Sequence, residues 1–174
     1  MFQTFFGESL YKAIYRINDT EKRMMFLVDQ VERITGLKDF GVYLNRLFTI
    51  DAFFLNEDRH THNIAVLMNG EGKFAYCPIF DNGASLLADT KMDYPLGIEV
   101  HELINQPKAK TICIDFDEQL EISETLYGQN LRFTFTKSDV KTLLANICEY
   151  SAEEKKRVEE LIYEQMRKYR YLFE

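Results

Sequence analysis

The spacing of apolar residues changes at Asn56, and that change limits the folds open to this chain. Upstream, Met24, Leu27, Val28, Val31 and Ile34 recur every three or four residues, and so do Phe40, Tyr43, Leu44, Leu47 and Phe48. That period predicts helices over residues 9–55, with Thr20 as an N-cap and Gly36 as a stop. The segment from about Asp39 is predicted to bury one face. Downstream, Ile64–Met68 and Phe74–Cys77 are short apolar runs around Asn69-Gly70-Glu71-Gly72. Asn-Gly accepts positive φ values at low cost, so these runs predict a β-hairpin. A helix that feeds a polar loop and then a hairpin makes the chain α+β and mostly helical.

The rest of the chain adds helices. Residues 82–98 contain Gly83, Pro95 and Gly97 and read as an irregular loop. Glu99–Asn105 reads as helical, stopped by Pro107. Residues 106–118 give no clear period, and 119–127 read as helical. Thr136 or Ser138 caps a helix bearing Val140, Leu143, Leu144, Ile147 and Cys148. Ser151-Ala152-Glu153-Glu154 is a capping-box pattern opening a helix with Val158, Leu161, Ile162, Met166, Tyr169 and Leu172 along one face. No linker divides the chain, and at 174 residues and 46% hydrophobic it is expected to bury one core over 1–174.

Charge and cysteines narrow the functional classes. Acids outnumber bases 28 to 21, a net charge of −7, which argues against direct nucleic-acid binding. Cys77, Cys113 and Cys148 are far apart and odd in number, which suggests neither a disulfide framework nor a cysteine zinc site. Met1–Phe6 has no basic region and only a short apolar run, unlike a signal peptide, and no stretch approaches a membrane span. A cytoplasmic protein with no membrane contact is the simplest expectation.

The chemistry concentrates in Asn56-Glu57-Asp58-Arg59-His60-Thr61-His62-Asn63 and in Ile79-Phe80-Asp81-Asn82-Gly83. Asn63 follows Asp58 by five residues, and Asp81 follows Asn63 by 18, with the hairpin between. Taken singly, Asp58 and Asn63 are ordinary turn residues. Together they supply an acid to orient a hydroxyl and hard oxygens to hold magnesium against phosphates. The hairpin would fold Asp81 back toward the first two. A different reading takes Asp58-x-His60-x-His62 as extended, so that alternate side chains bind the metal of a hydrolase.

Asp58-x-His60-x-x-Asn63, two strands and then Ile79-Phe80-Asp81 resemble the catalytic loop and metal-binding acid of the HipA-like serine/threonine kinases. The loop is also similar to Asp-Arg-His-x-x-Asn of the phosphatidylinositol 3/4-kinase superfamily. The resemblance covers roughly residues 40–90. It implies a protein-kinase-like C-lobe whose small β-hairpin carries the catalytic and metal-binding loops. Asp58 would be the catalytic acid/base and His60 the catalytic-loop histidine. Asn63 and Asp81 would bind Mg2+ and, through it, ATP. Ser85 and Thr90 would lie in the activation segment. Asp81-Asn82-Gly83 departs from Asp-Phe-Gly, and the 57 residues before Asp58 show no Gly-rich phosphate loop and no strand lysine, so no N-lobe is recognisable. The implied partners are ATP, a protein substrate, and a separate N-lobe or antitoxin protein, with a toxin–antitoxin role. A pseudokinase or binding module that needs a separate small-lobe partner is the alternative.

Overall fold

Two helices open the described part of the chain, and local caps bound the second. In the computed structural model, which describes residues 10–173, α1 spans Leu10–Tyr15 and α2 spans Thr20–Thr35. The run Met1–Phe6, and residue 9 at the start of the predicted helical region, lie outside the described residues. Asp19, not Thr20, is the N-cap of α2; its carboxylate accepts from the Lys22 amide at 2.9 Å. Gly36 ends α2 with φ of 71°, a left-handed conformation that glycine reaches without Cβ strain.

Helix α3 spans Phe40–Phe54 and is the centre of the fold. One buried face was expected; instead ten of its 15 residues are buried, because two core clusters meet along it. Phe40, Leu44, Leu47 and Phe48 pack with Ile14, Met24, Leu27 and Val31 of α1 and α2. Ala52 and Phe53 pack with the C-terminal half of the chain, including Leu120, Leu161 and Tyr169. Gly41 permits the close approach of the next long helix: a Cβ there would lie 2.3 Å from Tyr127 Cδ1.

After α3 comes a 3-10 turn at Thr61–Asn63, then β1 (Val66–Met68) and β2 (Phe74–Tyr76). The two strands pair antiparallel with Leu67 opposite Ala75, and form a two-stranded sheet shorter than the predicted runs. Helix α4 is a single turn at Val100–Leu103. Helix α5 (Phe116–Tyr127) starts earlier than predicted because Asp115 caps it, accepting from the Asp117 and Glu118 amides. Helix α6 spans Lys137–Asn146 with Thr136 as N-cap, so Ile147 and Cys148 lie beyond its end. Leu143 is 65% exposed, although it sits on the expected apolar period. Helix α7 spans Ala152–Lys168 behind the Ser151–Glu154 capping box; Leu161 and Ile162 are buried as expected, Val158 and Met166 only partly, and Tyr169 and Leu172, expected on the same helix, are buried beyond its end. The described residues are thus mostly helical with one small antiparallel sheet. No helix among them is long and apolar enough to cross a membrane. All three cysteines are free.

Candidate functional site

A buried polar hub forms where α3 ends. Leu55 takes a left-handed conformation (φ 55°) and turns the chain out of the helix. The carbonyls left open there find partners from distant elements. Gln165 of α7 donates to Ala52 O (2.9 Å) and Phe53 O (2.8 Å), and the Leu86 amide donates to Phe54 O at 2.8 Å. Asp51, in the last turn of α3, is fully buried. Its carboxylate accepts from Arg59 Nε at 3.0 Å and Nη2 at 3.2 Å, and from Asn56 Nδ2 at 3.0 Å. Burial pushes the Asp51 carboxyl above its ordinary value, while Arg59 and Asn56 pull it down.

Arg59 is 1% exposed, and its five N–H donors all have acceptors. Besides Asp51, Nη1 donates to Asn63 O (3.2 Å) and Phe80 O (2.5 Å), and Nη2 to Asn82 Oδ1 (2.6 Å). Asn56 adds a bond from Nδ2 to Asp81 O at 3.2 Å, and its Oδ1 accepts the Asp58 amide at 3.3 Å. The 56–63 loop and the 80–82 segment are therefore tied together at both ends of Asp81. Asp81 itself has φ of 57°. Asp tolerates that region better than most residues.

The sequence-predicted residues sit around this hub. Asn63 Nδ2 donates to Asp58 O at 2.9 Å, which orients the amide so that Oδ1 is left as an acceptor. The Asp58 carboxylate is half-exposed and lies 3.6 Å from Lys110 Nζ. His60 Nδ1 accepts the His62 amide at 3.2 Å, and the two rings lie 5.4 Å apart. Asp81 is exposed and takes no hydrogen bond or ion pair through its carboxylate among the described residues. Asn63 thus meets Asp58 directly, whereas the segment carrying Asp81 joins them through Asn56 and Arg59 and not through the Asp81 side chain. A groove of about 540 Å³ opens beside Asp58, lined by Glu57, Gly83, Ala84, Thr90 and Lys110 among others. Asn63 and Asp81 do not line it.

A magnesium ion prefers hard oxygens and keeps phosphate and water among its ligands. The free Asn63 Oδ1 and the unengaged Asp81 carboxylate fit that donor chemistry. Among the described residues no group of three or more His, Cys, Asp or Glu side chains is placed to hold a metal. The hydrolase reading has a further difficulty: Thr61–Asn63 is a 3-10 turn, so Asp58, His60 and His62 do not alternate along an extended strand.

Sequence reasoning missed Asp51, Asn56 and Arg59 as the parts that place the others. Asp51 gave a usable signal, since a lone acid on an apolar helix must find a buried partner. Lys110 gave none, because it arrives from the loop before α5. Glu57 accepts from the Tyr94 hydroxyl at 2.7 Å, and burial together with that carboxylate pushes the tyrosine up and keeps it a donor. A larger cavity of about 920 Å³, floored by Phe133, Phe135 and Phe173, contains none of the predicted site residues. In comparisons with known proteins, the chain matches no protein-family model, no curated protein and no solved structure.

Proposed function

We propose that this chain is a HipA-like, protein-kinase-like C-lobe that transfers the γ-phosphoryl group of ATP to a Ser/Thr hydroxyl. The observation that supports this reading most is the double tie on Asp81. Arg59 holds Phe80 O and Asn82 Oδ1, and Asn56 holds Asp81 O, so an acid from beyond the hairpin is fixed against the Asp58–Asn63 loop. Positioning and electrostatics supply most of the acceleration in phosphoryl transfer, and a rigid frame of this kind is what they need.

In this reading Asp58 orients the acceptor hydroxyl and takes its proton. Asn63 Oδ1 and Asp81 hold the metal. Magnesium, when bound, neutralises and orients the phosphate oxygens. His60 braces the loop through its contact with the His62 amide. The half-exposed Asp58 side chain leaves room for an acceptor on the groove side.

Calorimetry of ATP with and without magnesium tests the nucleotide part. Asp58→Asn tests the transfer part: removing a general base costs about 10²–10⁴-fold in rate. The variant should keep the wild-type fold and ATP affinity and lose transfer. Retained transfer in Asp58→Asn removes Asp58 from the role.

A second reading is favoured by the hairpin surface. Leu67 (50% exposed), Met68 (64%), Tyr76 and Phe80 lie open there. Such a patch fits a binding module, or a pseudokinase, that completes its site with a separate small-lobe chain. Sedimentation of the chain with a short β-rich protein from a neighbouring reading frame would separate the readings. A monomer that binds neither that protein nor ATP would exclude both.

A further inference from the structure

Lys110 is an exposed side chain on a tightly anchored backbone. The next residue, Thr111, is fully buried and donates its hydroxyl to the carbonyl of Arg59, the residue directly after Asp58. The Tyr15 hydroxyl meets Lys110 O at 3.0 Å and Thr111 O at 3.1 Å. Gln119 Oε1 accepts the Ile112 amide at 2.9 Å, and Arg23 donates to Ile112 O. These bonds fix the loop in register with the Asp58 loop and set Lys110 Nζ 3.6 Å from Asp58 Oδ1. The pair does little for stability, because its side chains are 52% and 47% exposed. The anchoring follows from the full burial of Thr111 and Ile112, and it delivers an exposed ammonium to the Asp58 carboxylate.

Of the other basic groups of the loop, Arg59 is fully committed and His60 is engaged through one ring nitrogen only. Arg59 is buried, with every N–H engaged. His60 Nδ1 is taken by the His62 amide. Within the groove beside Asp58, Glu57 is bonded to Tyr94, and Asp89 accepts the Lys91 and Met92 amides. Lys91 and Lys110 are the cations that line it, and Lys110 is the one seated on Asp58.

We propose that Lys110 is a catalytic residue of this site, binding the oxygens of the phosphoryl group as it passes from nucleotide to acceptor. The inference rests on the phosphotransfer reading. The bond between the γ-phosphorus and the β–γ bridging oxygen breaks, and a bond from the acceptor oxygen to that phosphorus forms. The acceptor proton passes to Asp58, and ADP leaves with the bridging electron pair. The Lys110 ammonium opposes the negative charge on the equatorial oxygens, beside a carboxylate that would otherwise repel them.

Two measurements test it. In the first, lysines of the whole chain are reductively ¹³C-methylated, and inorganic phosphate is titrated while their NMR signals are followed. The Lys110 signal, identified by its loss in Lys110→Met, should shift and saturate; the Lys108 signal, from the same loop, should stay still. In the second, phosphotransfer from magnesium-ATP is measured. Lys110→Met should lower kcat by about 10²-fold with little change in KM for ATP. Lys110→Arg, which keeps the charge, should recover part of that loss, and the unfolding midpoint of both should match wild type. A Lys110 signal unmoved by phosphate overturns the proposal, and so does wild-type turnover in Lys110→Met. If the wild-type chain transfers no phosphate, the phosphotransfer reading fails, and the phosphate titration by itself still decides whether Lys110 binds a phosphoryl anion.

Discussion

Severing the Asp51–Arg59 pair is the perturbation that bears most directly on the site. Both side chains are out of water, at 0% and 1% exposure, so Arg59→Met leaves a buried carboxylate with only Asn56 Nδ2 as a donor. Breaking a buried pair from one side costs about 3–5 kcal/mol. For a chain of this size each kcal/mol lowers Tm by about 2–4 °C, so the expected loss is roughly 6–20 °C. The loss has a pH signature. Burial already raises the Asp51 carboxyl above its ordinary 3.8, against the pull of Arg59. The folded protein therefore holds a proton at Asp51 more readily than the unfolded chain does. Stability from this carboxyl is greatest below its unfolded value and falls as pH rises through its folded value. Removing Arg59 raises the folded value further, because the opposing charge is gone. The deficit of Arg59→Met should thus be largest near neutral pH and shrink on acidification, as Asp51 takes up a proton.

Urea unfolding followed by circular dichroism across this pH range measures the deficit; the chain has no Trp to report it by fluorescence. The double variant Asp51→Leu/Arg59→Met removes the stranded charge. It should be more stable than the sum of the single losses predicts, by at least about 1 kcal/mol. A pH-independent deficit, or single effects that add within about 0.5 kcal/mol, would refute the reasoning.

Two other outcomes follow from the geometry. Asp81→Asn keeps a residue that tolerates φ of 57° while removing the charge, so magnesium-dependent ATP affinity should fall at least about tenfold, with unfolding unchanged; equal affinity by calorimetry counts against Asp81 as a metal ligand. Gly41→Ala gains up to about 1 kcal/mol of helix propensity. It also drives a Cβ to 2.3 Å from the Tyr127 ring; overpacking of that kind costs about 1–3 kcal/mol. A net fall in Tm is expected, and a rise would mean that Tyr127 yields freely.

What could be read from the sequence was what depends on near neighbours. The Ser151–Glu154 box, the Thr136 cap and the Gly36 stop are decided within four residues, and each formed. The Asn63–Asp58 contact is equally local. Periodicity failed where packing comes from more than one side. Helix α3 lies between two clusters and is buried around most of its girth, whereas α6 buries only Val140 and Leu144 and leaves Leu143 in water. Residues 106–118 carried no readable period because their loop is held by Tyr15 and Arg23 and by the Thr111 hydroxyl on Arg59 O, and those three residues come from elsewhere in the chain. The hub was hidden for the same reason: Arg59 stands one residue from Asp58, yet its acceptors lie on α3, in the loop and beyond the hairpin.

Arg59→Lys sharpens the meaning of that hub. A lysine retains the charge opposite Asp51 but offers three donors on one nitrogen in place of a planar fork of five. It can keep the ion pair, yet it cannot also reach Asn63 O, Phe80 O and Asn82 Oδ1. If the pair matters only to the core, the lysine variant should resemble wild type in every respect. If the fork fixes the 80–82 segment against the loop, the variant should keep most of its stability while amides around Asn82, such as Ser85 N bonded to Asn82 O, exchange faster with solvent. Hydrogen exchange that is slow and unchanged at Ser85 would show that Asn56 alone holds the segment. The double tie would then lose its standing as the feature that places Asp81.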